Sequence, residues 1–254
     1  MKIYEFIEEM DKLYPKTLSA PWDTDGLQCC ADPDKELKRV LVALDAGIRE
    51  VDCACGGGYD LLLTHHPMIF GKAGDIVPSK VNGNRIIKLL ASGAAAASFH
   101  TRLDAGNGGV NDCLAAALGL EETIAFGDDE MPTAGRIGKL EIPVSAEKFC
   151  IWVKERLHAP CVRQTGDGII RSVAVIGGAG KDFVMSALAA GANAVVTGEV
   201  SYNSALDFSE SGIVIIEAGH YHTEFPVCER LACLVREISG AEADIFEGYF
   251  ARIY

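Results

Sequence analysis

The sequence predicts an α/β protein of two similar lobes, and two observations carry that prediction. Short apolar runs of strand length alternate with segments of helical periodicity along the chain. One strand–helix–strand pattern also occurs twice. With Val40 placed on Val173, Val40-Leu41-Val42 falls on Val173-Ala174-Val175, Ala46-Gly47 on Ala179-Gly180 and Gly58 on Gly191. Without a gap, Leu61-Leu62-Leu63-Thr64 falls on Ala194-Val195-Val196-Thr197. After a shorter connection in the second copy, Ala97-Ser98-Phe99-His100 matches Glu217-Ala218-Gly219-His220.

Residues 3–14 form the first predicted helix, with Ile3, Phe6, Ile7, Met10 and Leu13 on one face and Pro15 as its stop. The segment Trp22-Asp23-Thr24-Asp25-Gly26-Leu27-Gln28 reads as a carboxylate-rich turn. A buried strand is expected over 40–45, a helix over 47–55 and a second strand over 60–64. Residues 67–83, rich in glycine and proline, suit a lid or rim. A helix over 83–92, a buried strand over 94–100 and a helix over 111–118 complete the first lobe. Composition shifts near 121–137, so the expected lobes are 1–124, completed by 225–254, and 125–224. The second lobe opens with a strand at 139–144, a helix at 145–157 and a strand at 171–176.

The chemistry concentrates where strands end. Leu61-Leu62-Leu63 stops at Thr64-His65-His66-Pro67, placing two imidazoles at a strand terminus. Each repeat also carries a histidine followed four residues on by an acid: His100 with Asp104, and His220 with Glu224. Open α/β sheets form their clefts at the carboxyl ends of the strands. If the lobes face each other there, His65, His66, His100 and His220 supply four imidazoles, and Asp104 and Glu224 two carboxylates. That set suits two divalent ions with a bridging carboxylate and room for water. Helix capping and hydrogen bonding between lobes are the competing use of the same residues. Tyr221 and His222 flank the second pair, with His222 either a proton shuttle or without a role.

Other chemistries fit poorly. Ile176-Gly177-Gly178-Ala179-Gly180-Lys181-Asp182 resembles a phosphate loop but lacks its first glycine and has Asp182 in place of Ser/Thr, so tight packing explains it better. No G-x-S-x-G elbow is present. A net charge of −13 disfavours nucleic acid and anionic membranes as partners. No run is long enough to span a bilayer, and Met1-Lys2-Ile3-Tyr4-Glu5 does not open a signal peptide. The nine cysteines are odd in number and scattered, as expected for reduced thiols in a cytoplasmic protein.

Taken together, Trp22-Asp23-Thr24-Asp25-Gly26-Leu27-Gln28, Leu63-Thr64-His65-His66-Pro67, His100-Thr101-Arg102-Leu103-Asp104, Gly108-Gly109-Val110-Asn111-Asp112, Thr197-Gly198-Glu199 and Ala218-Gly219-His220-Tyr221-His222-Thr223-Glu224 resemble the GTP cyclohydrolase I type 2 family, also called Nif-three-like proteins. These motifs span most of the chain; 121–170 and the last 25 or so residues match less clearly. The resemblance implies two α/β lobes around a dinuclear metal centre, assembled as a homohexameric ring. It implies His65, His66, Asp104, His220 and Glu224 as metal ligands, Glu224 as a bridge, and His100 beside the site. The connection between the lobes is too short for the large inserted domain of some members.

The expected activity is metal-dependent hydrolysis of a small nucleotide-like molecule, GTP ring opening with formate release being the example. Zinc, iron, manganese, cobalt and nickel all suit the mixed nitrogen and oxygen ligands. A non-catalytic regulatory scaffold or a metal chaperone would use the same ligands, differing in whether a coordination position stays open to exchangeable water.

Overall fold

The computed structural model describes residues 1–253. In chain order its elements are α1 (Ile3–Leu13), β1 (Gly26–Cys29), β2 (Arg39–Ala43), α2 (Ile48–Gly56), β3 (Leu61–Thr64), α3 (Val81–Ser92), β4 (Ala95–Ser98), α4 (Thr101–Ala105) and α5 (Val110–Leu118). They continue as β5 (Glu121–Phe126), β6 (Gly135–Ser145), α6 (Ala146–Arg156), β7 (Arg163–Thr165), β8 (Ile169–Ile176), α7 (Val184–Ala189), β9 (Ala194–Thr197), α8 (Tyr202–Glu210), β10 (Val214–Glu217), α9 (His220–Glu224), α10 (Pro226–Ser239) and β11 (Glu242–Ile245). The fold is mixed α/β with two sheets. Two compact units divide the chain: Met1–Leu103 with Val227–Phe250, and Asp104–Pro226 with a few residues from Ala251 onward.

The first unit holds a five-stranded sheet of order β1-β4-β3-β2-β11. Strands β4, β3, β2 and β11 run parallel, and β1 lies antiparallel on the edge. Leu61, Leu62 and Leu63 have no solvent exposure, as expected for a parallel strand covered on both faces. On one face Leu41, Leu62 and Ala96 pack with Val51 and Ala54 of α2 and Ile86 and Leu89 of α3. Alternation sends Leu61 and Leu63 to the opposite face. The expected turn at 22–28 is part strand: Gly26, at φ 110°, opens β1, which pairs Gly26 with Ser98 and Leu27 with Ala97. The signal was missed because four residues on a sheet edge carry little apolar alternation.

The second unit holds a six-stranded sheet of order β5-β6-β8-β9-β10-β7. Val173, Val175, Val196 and Ile216 face Leu114 and Leu118 of α5 and Phe149 and Val153 of α6. Ala174, Ile176, Val195 and Ile215 face Val184 and Ala187 of α7 and Ala205 of α8. Ser145 caps α6, accepting a hydrogen bond from the Lys148 N–H. Asn111 and Asp112 do not cap α5; Asn111 bonds Ala134 and Gly177, and Asp112 pairs with Arg136.

The two sheets share one three-strand pattern in the same register. In the first, Val40 pairs with Leu61 and Leu61 with Ala95. In the second, Val173 pairs with Ala194 and Ala194 with Val214. The strands β2, β3 and β4 therefore end side by side, as do β8, β9 and β10. Residues 44–45, 65–66 and 99–100 emerge together in the first unit, and 177–178, 198–199 and 218–220 in the second. Among the described residues no helix is long and apolar enough to cross a membrane.

Candidate metal centre

In the first unit the strand ends bring three imidazoles together. One ligand atom from each of His65, His66 and His100 lies within 4.8 Å of the others. Their ring centroids are 4.8 Å (His65–His66), 5.2 Å (His65–His100) and 5.7 Å (His66–His100) apart. His65 is fully buried and the other two are partly so.

Each ring is oriented by an oxygen on Nδ1. His65 Nδ1 lies 3.0 Å from the Phe99 carbonyl. His66 Nδ1 lies 2.8 Å from Asp45 Oδ1, and His100 Nδ1 3.1 Å from Asp23 Oδ2. A carbonyl or carboxylate can only accept, so each Nδ1 is the protonated nitrogen, and the tautomer this selects carries its lone pair on Nε2. Metal-binding histidines are held in this way.

The Asp23 carboxylate is itself tightly placed. It also accepts from the Thr101 N–H at 3.0 Å and the Thr101 hydroxyl at 2.6 Å. Burial alone would raise its pKa, but the bonds from His100 and Thr101 outweigh burial and hold the carboxyl well below the usual range. Next to it, the fully buried Arg102 bonds Asp25 at 2.8 Å, Asp11 at 2.6 Å and the Tyr14 carbonyl at 2.9 Å. Arg102 also lies 4.2 Å from the centroid of the Phe99 ring. The carboxylate-rich turn is thus anchored to the chain just after His100.

In the second unit the i, i+4 spacing on α9 puts His220 Nε2 3.1 Å from Glu224 Oε2. Glu199 Oε1 lies 3.2 Å from His220 Nδ1, repeating the orientation seen in the first unit. Glu224 is buried, and the Asp104 carboxylate comes within 4.8 Å of it. The turn after β8 wraps this pair. At Gly178, with φ 63°, a Cβ would overlap Glu224 Oε1 and approach His220 Nε2 to 2.9 Å. A Cβ at Gly198 would lie 2.7 Å from His220 Cα. The glycine run therefore allows close packing rather than cradling a phosphate.

His222 is turned to a different partner. It hydrogen-bonds the backbone at Leu157, and burial pushes its pKa down. Reading the residues one at a time missed Asp45, Asp23 and Glu199, the acceptors on three imidazoles. Asp45 and Glu199 each lie two residues past the end of a repeat strand, a signal that could have marked them, and Glu199 stands in the motif Thr197-Gly198-Glu199.

Strand-end imidazoles oriented for Nε2 donation in one unit, and a histidine–carboxylate pair in the other, define an α/β protein with groups able to hold a metal ion. The chain belongs to the Duf34/NIF3 (NGG1p interacting factor 3) family, whose profile it matches over residues 1–247. It is 30% identical over 244 residues to a GTP cyclohydrolase 1 type 2 homolog of Clostridium perfringens, covering 93% of this chain and 92% of that one. It is 32% identical over 248 residues to the protein of the same name from Streptomyces coelicolor, covering 94% and 87%. Among solved structures, Staphylococcus aureus protein SA1388 matches with a TM-score of 0.92 at 25% identity, over 100% of this chain and 99% of that one. Reduced HcgD from Methanocaldococcus jannaschii matches with a TM-score of 0.82 at 27% identity, over 96% and 97%.

Proposed function

We propose that this protein is a metal-dependent hydrolase in which His65, His66, Asp104, His220 and Glu224 hold two divalent ions. The observation that carries the reading is the shared orientation of His65, His66 and His220, each with Nδ1 against an oxygen acceptor. Each unit alone offers a short ligand set: imidazoles in the first, one imidazole and two carboxylates in the second. Two ions would draw on both sets, and the family resemblance gives Glu224 as the carboxylate they would share. Zinc, iron, manganese, cobalt or nickel fits these donors.

Ions bound there would supply Lewis acidity and bring the pKa of a water toward neutrality. The chain's own contribution is placement. The Phe99 carbonyl, Asp45 and Glu199 fix the imidazoles, and Gly178 leaves space for Glu224 against His220. His100, held by Asp23, stands beside the ligands.

The names of the relatives make a nucleotide-like substrate the first to test, with hydrolytic opening of the GTP ring and release of formate. The family resemblance further supports a cytoplasmic homohexameric ring.

The test is elemental analysis of wild type, Glu224→Ala and His66→Ala, with formate release from GTP measured on the same samples. About two ions per chain, falling sharply in both variants together with formate release, is the expected result. Two ions without GTP turnover would leave a metal-binding scaffold or chaperone. No bound metal under any loading condition would overturn the reading.

A further inference from the structure

Two large aromatic side chains stand in solvent beside the histidine cluster. Trp22 is 58% exposed and Phe70 is 62% exposed. Their ring centroids are 5.7 Å apart, and those of Trp22 and Phe70 lie 6.0 Å and 6.2 Å from that of His100. Single exposed apolar residues are ordinary; these two lie against each other and beside His100, forming one small aromatic patch at the histidine cluster.

Both rings sit on segments that are tied down. The Trp22 turn is held by the Asp23 N–H on the Ala20 carbonyl at 3.0 Å, the Ala20 N–H on Thr101 Oγ1 at 2.9 Å, and the buried Asp23 carboxylate. The segment carrying Phe70 is fastened to the same turn. Thr24 Oγ1 donates to the Ile69 carbonyl at 3.0 Å and accepts from the Gly71 N–H at 3.1 Å. Gln28 closes the link both ways, donating to the Ile69 carbonyl at 2.9 Å and accepting from the Ile69 N–H at 3.2 Å. The pair is therefore preorganised, which lowers the ordering cost of binding.

We propose that Trp22 and Phe70 form a stacking platform for a flat heteroaromatic ring of the purine class, next to His100. The proposal rests on the reading of the site as one acting on a nucleotide-like substrate, and it names the residues that take the base. At 5.7 Å the two rings are too close to sandwich a third, which needs roughly 7 Å, or two contact distances. The two rings are inclined at 48° to each other, so the base stacks on the exposed face of one and meets the other edge-on. Two aromatic side chains offer a few hundred Å² at most, which matches a bicyclic base and falls well short of the roughly 1,000 Å² of a stable protein interface.

The experiment uses the full chain carrying Trp152→Phe, which leaves Trp22 as the sole indole. Guanosine, adenosine and ribose 5-phosphate are titrated, with indole emission and calorimetry as readouts and metal content measured on the same samples. Both nucleosides are expected to change Trp22 emission saturably, and ribose 5-phosphate to leave it unchanged. In calorimetry Trp22→Ala and Phe70→Ala each weaken guanosine about tenfold or more, Trp22→Phe retains most of the affinity, and metal content holds.

No saturable response to either nucleoside, or equal affinity in the alanine variants, overturns the platform. Loss of metal in Phe70→Ala, or a changed oligomeric state with nucleoside binding intact, also overturns it, because the rings would then be structural or part of an interface. Nucleoside binding without any GTP turnover would remove the hydrolase and leave the platform standing.

Discussion

His66 Nδ1 lies 2.8 Å from Asp45 Oδ1, which links the residue that ends one strand segment to a histidine that ends its parallel neighbour. Asp45 is partly exposed and makes no contribution to the apolar core. Its carboxylate fixes which nitrogen of His66 keeps the lone pair. Asp45→Asn is therefore expected to leave the melting temperature nearly unchanged while lowering metal affinity about 10- to 100-fold. Competition against a chelator of known affinity checks it, and unchanged affinity would remove Asp45 from the site.

Gly178 tests the other unit. With φ 63° and its Cα against Glu224 and His220, it has no room for a methyl group. Gly178→Ala is expected to cost about 1–3 kcal/mol of stability and to displace the Glu224 carboxylate. Gly191, also at positive φ but with open space around its Cβ position, is the control. Gly191→Ala strains the backbone alone. Metal loss in Gly178→Ala but not in Gly191→Ala separates crowding of the site from strain.

Arg102 carries no ligand, yet the turn and the strand end depend on it. Its guanidinium is fully buried and pairs with the buried Asp25. Arg102→Met is expected to destabilise by about 3–5 kcal/mol, because Asp25 is left charged without its partner. Adding Asp25→Asn is expected to recover part of that loss, read from urea midpoints of the single and double variants. No recovery would mean that Arg102 acts through packing on Phe99 instead.

How much of this was legible in the sequence depended on periodicity. The apolar run Leu61–Leu63 and its counterpart Ala194–Val196 announce buried parallel strands, and both appear where expected. The histidines were legible because His65 and His66 interrupt such a run and His100 and His220 recur at equivalent ends. Asp45, Asp23 and Glu199 were not legible as their acceptors, because an acid in a turn or past a strand end is common and its hydrogen bond is made across long sequence separations. Edge strand β1 was hidden for a related reason: its partner β4 lies about 70 residues away, so pairing and not local pattern creates it.

Asp60 links stability to pH away from the histidines. Its carboxylate accepts the Lys38 N–H at 2.9 Å and the Arg39 N–H at 3.0 Å, and pairs with Lys35 Nζ at 2.9 Å. Burial would raise its pKa, but these partners outweigh burial and lower it. A carboxyl whose folded pKa lies below its unfolded value of about 3.9 stabilises the fold above that value, and loses the contribution as pH falls through the folded pKa. The Lys35 bond is the largest of the lowering causes, followed by the two backbone bonds; because Lys35 is partly exposed, solvent screens its share of the stabilisation. Asp60→Asn is expected to cost about 1 kcal/mol at neutral pH. In urea titrations across pH, the gap between wild type and variant is expected to stay constant from neutrality to about pH 5 and to close below pH 4. A gap that persists unchanged at lower pH would mean that the Asp60 charge does not stabilise the fold and that the side chain acts by shape alone.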